Sequence, residues 1–88
     1  MKIVKKNGRI EDFELSKLVD SLIDTFEITQ TPEGLSNDMI RQTVKDFHTW
    51  QIGKSEITSQ DIHLQIGKIL EKIHPEASYI YKNFRNII

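Results

Sequence analysis

Apolar residues recur at helical spacing in four separate stretches of this chain, and each stretch predicts an amphipathic helix. The predicted helices cover residues 15–27, 36–50, 59–73 and 76–87. In order, the four apolar stripes are Leu15, Leu18, Val19, Leu22, Ile23 and Phe26; Met39, Ile40, Val44 and Phe47; Ile62, Ile66, Ile69, Leu70 and Ile73; and Ala77, Ile80, Tyr81, Phe84, Ile87 and Ile88. Four helices with one apolar face each predict a small bundle around a single core.

The first residues follow a different pattern, and residues 2–13 predict a β-hairpin. Asn7-Gly8 suits a two-residue type I′ turn, because Asn tolerates the positive φ that both central positions need and Gly adopts it without strain. Residues 55–57 tolerate β structure and are expected to add a third strand. The fold class is therefore α+β, mainly α: a four-helix bundle capped by a hairpin or a three-stranded sheet. Closure on this turn predicts the cross-strand pairs Lys6 with Arg9, Lys5 with Ile10, and Val4 with Glu11.

The residues at the predicted helix starts differ in the strength of their signals. Thr58 followed three residues later by Asp61 predicts a capping box for the third helix, with Asp in place of the usual Glu or Gln. Ser36 is the predicted cap of the second helix, and Pro75 suits the first turn of the fourth. Glu14 is a weak cap, so the first helix has the least defined start.

Size and charge restrict the chain to one domain of modest core size. It has 88 residues, with 12 Lys+Arg against 13 Asp+Glu, no cysteine, and no apolar run long enough to span a membrane. Near-neutral charge makes nucleic acid an unlikely partner, since binding that polymer usually requires a basic domain. The absence of cysteine and of a signal-peptide pattern leads us to expect a cytoplasmic protein without disulfides.

Catalytic and metal-binding motifs are missing from the sequence. There is no Gly-x-Ser-x-Gly, no phosphate-binding Gly-x-x-x-x-Gly-Lys loop, and no Gly-x-Gly-x-x-Gly fingerprint. The three histidines, His48, His63 and His74, are too scattered for a metal motif. We therefore expect no catalytic residues, no bound metal and no enzymatic activity of the domain itself.

Positive charge is concentrated at the N-terminus, where Lys2, Lys5, Lys6 and Arg9 occur before the first acidic residue, and Lys17 follows on the first helix. Two interpretations remain open. The cluster could bind a phosphate-bearing ligand together with the free amides at the start of the third helix. Alternatively, the lysines could keep an exposed hairpin edge soluble.

Three stretches resemble the ATP-cone domain, and together they span essentially the whole chain. They are VKKNGRIEDFELSKL at residues 4–18, EITSQDIHLQI at 56–66 and ASYIYKNFR at 77–85. The usual family opening is Val-Lys-Arg-Asp-Gly-Arg-x-Glu-x-Phe-Asp-x-x-Lys-Ile. The resemblance implies a helical bundle capped by a hairpin or three-stranded sheet, which binds ATP or dATP as an allosteric effector, with Mg²⁺ as the accompanying ion.

The resemblance also implies which residues contact the nucleotide. Lys5, Lys6 and Lys17 would lie near phosphates, and Glu11 would meet the base or sugar. The sequence departs from the family at Lys6 for Arg, Asn7 for Asp and Glu14 for Asp or Asn, and Lys lacks the bidentate fork of Arg. The complete implied set is Val4, Lys5, Lys6, Glu11, Lys17, Leu18, Ser59, His63 and Arg85, with Gly8 making the turn.

ATP-cone domains occur at the N-terminus of ribonucleotide reductases and in the transcriptional repressor of their genes. The resemblance therefore implies a regulatory part of a reductase, with the anaerobic class favoured by the YIYKNFR ending, and a catalytic domain, another subunit or a second copy as partner. Without cysteines, the chain is not expected to contain the zinc ribbon of a complete repressor. The apolar Ile87-Ile88 ending is expected either to bury the terminus or to continue into a longer protein, so truncation from a larger protein is one expectation. The alternative is a degenerate cone that binds proteins through its fourth helix without nucleotide.

Overall fold

Four helices pack beneath a small sheet in the computed structural model, which describes residues 1–84 and side chains up to residue 83. The α+β, mainly α class predicted from the sequence is confirmed. Within the described residues, no helix is long and apolar enough to cross a lipid bilayer. In chain order the elements are β1 (Lys2–Val4), β2 (Ile10–Asp12), α1 (Leu15–Ile28), α2 (Glu33–Gln51), β3 (Glu56–Thr58), α3 (Ser59–Ile73) and α4 (Pro75–Phe84).

The sheet has the strand order β2-β1-β3, so the predicted third strand is present and lies beside β1. β1 pairs with β2 in antiparallel fashion and with β3 in parallel fashion. Ile3 lies opposite Ile57, and both are buried at 2% and 6% exposure. Because side chains alternate along a strand, this face of the sheet packs on the helices and the other face is turned outward.

The hairpin turn differs from the predicted two-residue turn. Lys5 N donates to Arg9 O at 2.8 Å and Gly8 N donates to Lys5 O at 2.9 Å, so three residues close the loop. Only Gly8 among the loop residues has positive φ, at 85°, whereas Asn7 does not. This is a β-turn followed by a left-handed glycine, a common three-residue hairpin connection. The observed cross-strand pairs are Val4 with Ile10, Ile3 with Glu11, and Lys2 with Asp12, so each predicted pair is wrong by one residue.

Helix α2 begins three residues earlier than predicted, at Glu33 instead of Ser36. Pro32 holds the N-cap position without a side-chain hydrogen bond, and Ser36 Oγ instead donates to the carbonyl of Glu33 at 3.0 Å. The prediction of a Ser36 cap was wrong because the prolyl φ already suits a chain entering a helix. Helix α4 is described to Phe84, so the predicted end at residue 87 lies outside the described residues.

Hydroxyl residues of both α1 and α2 are buried, which the apolar pattern did not indicate. Ser21, Thr25 and Thr43 are 3%, 0% and 0% exposed. Their hydroxyls donate to the carbonyls of Leu18, Ser21 and Met39, respectively, at 2.7–2.8 Å. With these hydrogen bonds made inside each helix, burial of the hydroxyls leaves no unpaired donor. The buried side of α1 is therefore rotated relative to the predicted apolar stripe. Ile23, which belongs to that stripe, is 40% exposed.

Helices α3 and α4 form the closest pair. Ser78 Oγ donates to the carbonyl of Gly67 at 2.7 Å, and a Cβ at Gly67 would lie 2.8 Å from the side chain of Lys82. The predicted capping box is confirmed at the start of α3: Thr58 Oγ1 accepts from Asp61 N at 3.0 Å, and the Asp61 carboxylate accepts from Thr58 N at 3.4 Å. This cap fixes the point at which the chain leaves β3 and enters α3.

Candidate functional site

Two strand ends and one helix start meet at a single edge of the sheet. Strands β1 and β3 are parallel, and their last residues, Val4 and Thr58, lie opposite each other. Both strands therefore end at the same edge of the sheet. Lys5 therefore leaves β1 where α3 begins. Arg9 enters β2 at this same edge, since Val4 also lies opposite Ile10. We call Lys5, Lys6, Arg9 and Ser59, the first residue of α3, the basic edge.

Hydrogen bonds of the turn fix the backbone that carries the basic residues of this edge. Lys5 and Arg9 are joined by the main-chain hydrogen bond that closes the loop. Asn7 Oδ1 accepts from Arg9 N at 3.0 Å, an interaction typical of Asn in turns. Lys6 is exposed in the loop, whereas Lys5 is half-buried. The positive charges are thus presented by an ordered turn and not by a free terminus.

Charge pairing leaves much of this positive charge uncompensated. Arg9 Nη2 lies 3.9 Å from Glu11 Oε2, and Lys17 Nζ lies 4.0 Å from Glu14 Oε2, distances at which exposed pairs are weak. Among the described residues, neither Lys5 nor Lys6 forms an ion pair with a carboxylate. The ammonium groups of these two lysines are therefore free of described carboxylate partners and could pair with an anion at the basic edge.

Acidic groups reduce the contribution that the start of α3 can make to anion binding. In the first turn of α3, the amide of Asp61 already donates to Thr58 Oγ1 in the capping box. The negative Asp61 carboxylate accepts from Thr58 N and lies beside the same turn. At the opposite end of β1, away from the basic edge, a hydrogen bond from Lys2 and its charge lower the pKa of the Asp12 carboxyl. Attraction for an anion at this edge comes chiefly from the hairpin side chains.

His63 lies one helical turn after Ser59, as the sequence predicted for α3, and it is engaged by α4. Its Nε2 lies 3.1 Å from the carbonyl oxygen of Lys82, which can only accept, so this nitrogen carries the proton. The imidazole also stacks on the ring of Tyr81, with centroids 5.0 Å apart. A ligand contact from His63 would require its Nδ1 or the loss of the bond to Lys82.

Not all of the predicted residues share one surface. Glu11 lies opposite Ile3 on the helix-facing side of the sheet, whereas Val4 is on the outer side with the exposed Ile10. Leu18 is fully buried in the core. Lys17 lies in the first turn of α1 and is exposed. Arg85 lies outside the described residues.

Two further residues contact members of the predicted set. Arg9 is joined to Lys5 across the turn, and its place in the N-terminal basic cluster was a signal for it. Tyr81 is fully buried beneath His63, at the α3–α4 contact. Eighteen residues separate these two rings in the sequence, so only the packing of α4 on α3 reveals the pair.

Cavities lined by described residues also lie away from the predicted site residues, among them three between helices. A groove of about 720 Å³ between α2 and α3 includes Trp50, Lys68 and Lys72, and the other two, of about 780 and 430 Å³, follow the seam between α1 and α2. Within residues 1–84, no group of three or more His, Asp or Glu side chains is arranged to hold a metal ion.

Comparison with known proteins shows a similarity over nearly the whole chain. The chain is similar to the transcriptional repressor NrdR of Bartonella henselae (strain Houston 1), with 31% identity over 90 aligned residues. The alignment covers 96% of this chain and 54% of the repressor, so the chain spans about half the length of the curated relative that it matches. No protein-family model matches the chain.

Proposed function

We propose that this chain is an ATP-cone-like regulatory domain that binds ATP or dATP at the basic edge. The observation that carries the proposal is the parallel pairing of β1 with β3, which brings Lys5 and the start of α3 to the same edge of the sheet. The sequence resemblance and the similarity to a transcriptional repressor over 96% of the chain support it. The confirmed α+β architecture is the one that the resemblance implied.

In this proposal, the triphosphate lies against the side chains of Lys5 and Lys6, whose charges are not paired with described carboxylates. Lys17 reaches a phosphate from α1. Glu11 accepts a hydrogen bond from the sugar or base, because an ionised carboxylate can only accept. Mg²⁺ would arrive with the nucleotide and would neutralise part of the phosphate charge.

The route from the nucleotide to the rest of the protein runs through α3 and α4. Ser59 begins α3 at the basic edge, and His63 on the next turn is bonded to the carbonyl of Lys82 in α4. A nucleotide that draws His63 toward itself competes with this bond and shifts α4. Such coupling is allosteric when the nucleotide has different affinities for the two positions of α4.

The parent protein that we favour is a ribonucleotide reductase, with the anaerobic class first, in which the domain contacts the catalytic domain or another subunit. The relative that the chain resembles is a repressor and not an enzyme, so regulation is the shared theme. ATP and dATP differ by one ribose hydroxyl, and discrimination between them requires a hydrogen bond to that group. The domain itself carries no proposed catalytic residue.

Isothermal titration of the 88-residue chain with ATP and with dATP in the presence of Mg²⁺ tests the proposal. We expect micromolar binding, and a Lys5→Ala, Lys17→Ala double variant should bind at least about 30-fold more weakly, because two charge-assisted contacts are lost. A Lys68→Ala, Lys72→Ala variant removes the same charge from the exposed side of α3 and should retain the affinity of the unaltered chain.

Two results would contradict the proposal. No heat at millimolar nucleotide, with a folded chain by circular dichroism, would leave the alternative of a degenerate cone that binds proteins. Equal losses in the two double variants would show that nucleotide responds only to overall charge and not to the basic edge.

A further inference from the structure

The groove between α2 and α3 is lined by one stripe of each helix. Its volume is about 720 Å³. The lining positions Gln65, Lys68, Ile69 and Lys72 on α3 have offsets of zero, three, four and seven residues, and Asp46, Thr49 and Trp50 on α2 have offsets of zero, three and four. Residues at these offsets lie on one side of a helix, so the groove follows both helices. No residue of the basic edge lines it.

Positive charge in this groove exceeds the acidic charge that faces it. Among residues 1–83, neither Lys68 nor Lys72 forms an ion pair with a carboxylate. Of the two acids in the lining, Glu71 is already paired with Lys82, with Nζ 3.0 Å from Oε2. Asp46 supplies the other carboxylate and is half-buried on α2. Two unpaired lysines against one such carboxylate leave the groove with a net positive charge.

Trp50 is the largest apolar residue of the groove lining, and its neighbours hold it in place. Its ring packs on Phe47, with centroids 5.5 Å apart, and Lys54 Nζ lies 4.6 Å from the ring centroid. Lys54 Nζ also donates to the carbonyl of Trp50 at 2.7 Å. Because this ammonium group covers one face of the indole, a nucleobase would have to displace it before stacking there. The remaining indole surface and Ile69 suit an aliphatic side chain.

We propose that the groove binds an acidic amphipathic helix of a partner protein, which places two carboxylates one turn apart on Lys68 and Lys72. These lysines are four residues apart, so they are separated by about 6 Å along α3, the same spacing as acidic residues at i and i+4 on a partner helix. An aliphatic residue between the two acids contacts Ile69 and Trp50. Such a complex is a helix in an apolar groove, with charge selecting the partner.

This inference does not depend on nucleotide binding, because the groove and the basic edge share no residue. Lys68→Glu, Lys72→Glu is the variant for the groove, and both side chains are exposed. Lys5→Glu, Lys6→Glu changes the same charge on the hairpin and is the matched control. The first double variant should lose the partner helix and keep ATP, and the second should do the reverse. Failure of either proposal is thus seen separately.

Trp50 is the single tryptophan of the chain, so its fluorescence reports on this groove. With quenching constants normalised to those of N-acetyltryptophanamide, iodide should quench Trp50 more strongly than caesium, because the lysines attract the anion. The difference should decrease in Lys68→Glu, Lys72→Glu and in about 1 M sodium chloride. Equal normalised quenching by the two ions in the unaltered chain would contradict a positively charged groove.

Binding is measured with a helical peptide of about 20 residues built from Glu, Leu and Ala, with glutamates at i and i+4 beside a leucine stripe. Titration followed by Trp50 emission should give a Kd below about 100 µM at low salt, and at least about tenfold weaker binding to Lys68→Glu, Lys72→Glu. An analogue with lysine in place of every glutamate should not bind the unaltered chain. It should bind the reversed variant, because the charges are then opposite again.

A neutral variant keeps the test valid if charge reversal perturbs the fold, since a glutamate at position 72 lies in the last turn of α3 and opposes the helix dipole. Lys68→Gln, Lys72→Gln should lose an intermediate part of the affinity, with the circular dichroism of the unaltered chain.

Three results would overturn the proposal. The first is unchanged Trp50 emission, with no heat of binding, up to about 1 mM of the acidic peptide. The second is equal affinity of the unaltered chain for the acidic and the basic peptide. The third is equal loss of peptide binding in the groove variant and the hairpin control, because the peptide would then respond only to the overall charge of the chain.

Discussion

Replacing His74 by alanine is expected to lower the free energy of unfolding by about 2 kcal/mol, because this side chain makes two separate hydrogen bonds. Its Nδ1 accepts from Ala77 N at 3.2 Å, which caps the start of α4. Its Nε2 is 2.9 Å from Thr31 Oγ1 in the loop between α1 and α2. The imidazole therefore joins two connections that are 43 residues apart in the sequence.

The hydrogen-bond directions around His74 are fixed by its neighbours. Thr29 Oγ1 donates to the carbonyl of Phe26, so it accepts from Thr31 Oγ1 at 2.8 Å. Thr31 Oγ1 then accepts from His74 Nε2, and Nδ1 is left without a proton to accept from Ala77 N. Losing the cap costs about 1 kcal/mol, and losing the bond to Thr31 about another 1 kcal/mol.

Urea and thermal unfolding followed by circular dichroism measure this effect. For a chain of this size, a loss of 2 kcal/mol corresponds to a decrease in Tm of about 10 °C. His74→Asn is the control, because its side-chain oxygen retains the cap but does not reach Thr31, and it should lose about half as much. A loss below about 0.5 kcal/mol for His74→Ala, or equal losses for both variants, would refute the reasoning.

Three further predictions concern local structure. Thr58→Ala should cost about 1 kcal/mol by removing the cap of α3, whereas Thr58→Ser should cost little in the same urea titrations. Gly8→Ala should destabilise the chain by about 1 kcal/mol because φ is 85° in open space, whereas Gly34→Ala, also in open space but inside α2, should stabilise it by up to about 1 kcal/mol; equal effects would contradict this. Lys2 lowers the pKa of Asp12 from 3.8, so the pair stabilises the fold above about pH 4. This stabilisation is lost as the pH falls through the folded pKa of Asp12. In acid unfolding, Lys2→Met should therefore lose less free energy of unfolding over this pH range than the unaltered chain.

The helices were predictable because their apolar stripes repeat over many residues, and the capping box because its two residues are close in sequence. The hairpin register was wrong, since Asn7-Gly8 fits both a two-residue turn and a three-residue loop with Gly8 alone at positive φ. The predicted buried face of α1 also differed from the observed one. A pattern of apolar residues does not show that Ser21 and Thr25 satisfy their hydroxyls inside the helix and can enter the core.

The candidate site was predictable only in its local parts. The basic cluster and the spacing of Ser59 and His63 follow from the sequence directly. The parallel pairing of β1 with β3 does not, because no short-range signal joins strands 54 residues apart. For the same reason, the stacking of His63 on Tyr81 needed the packing of α4 on α3. Whether Lys5, Glu11 and Lys17 contact a nucleotide stays a prediction.

The most direct test of the central claim is a residue-by-residue titration of the ¹⁵N-labelled chain with ATP, read from amide chemical shifts. The account predicts that the largest shifts occur at Lys5, Lys6, Arg9, Ser59 and His63, and that they saturate at micromolar ATP. It also predicts small shifts at Lys45 on α2, away from the basic edge. Absence of shifts at millimolar ATP, or shifts concentrated on α2, would contradict a nucleotide site at the basic edge.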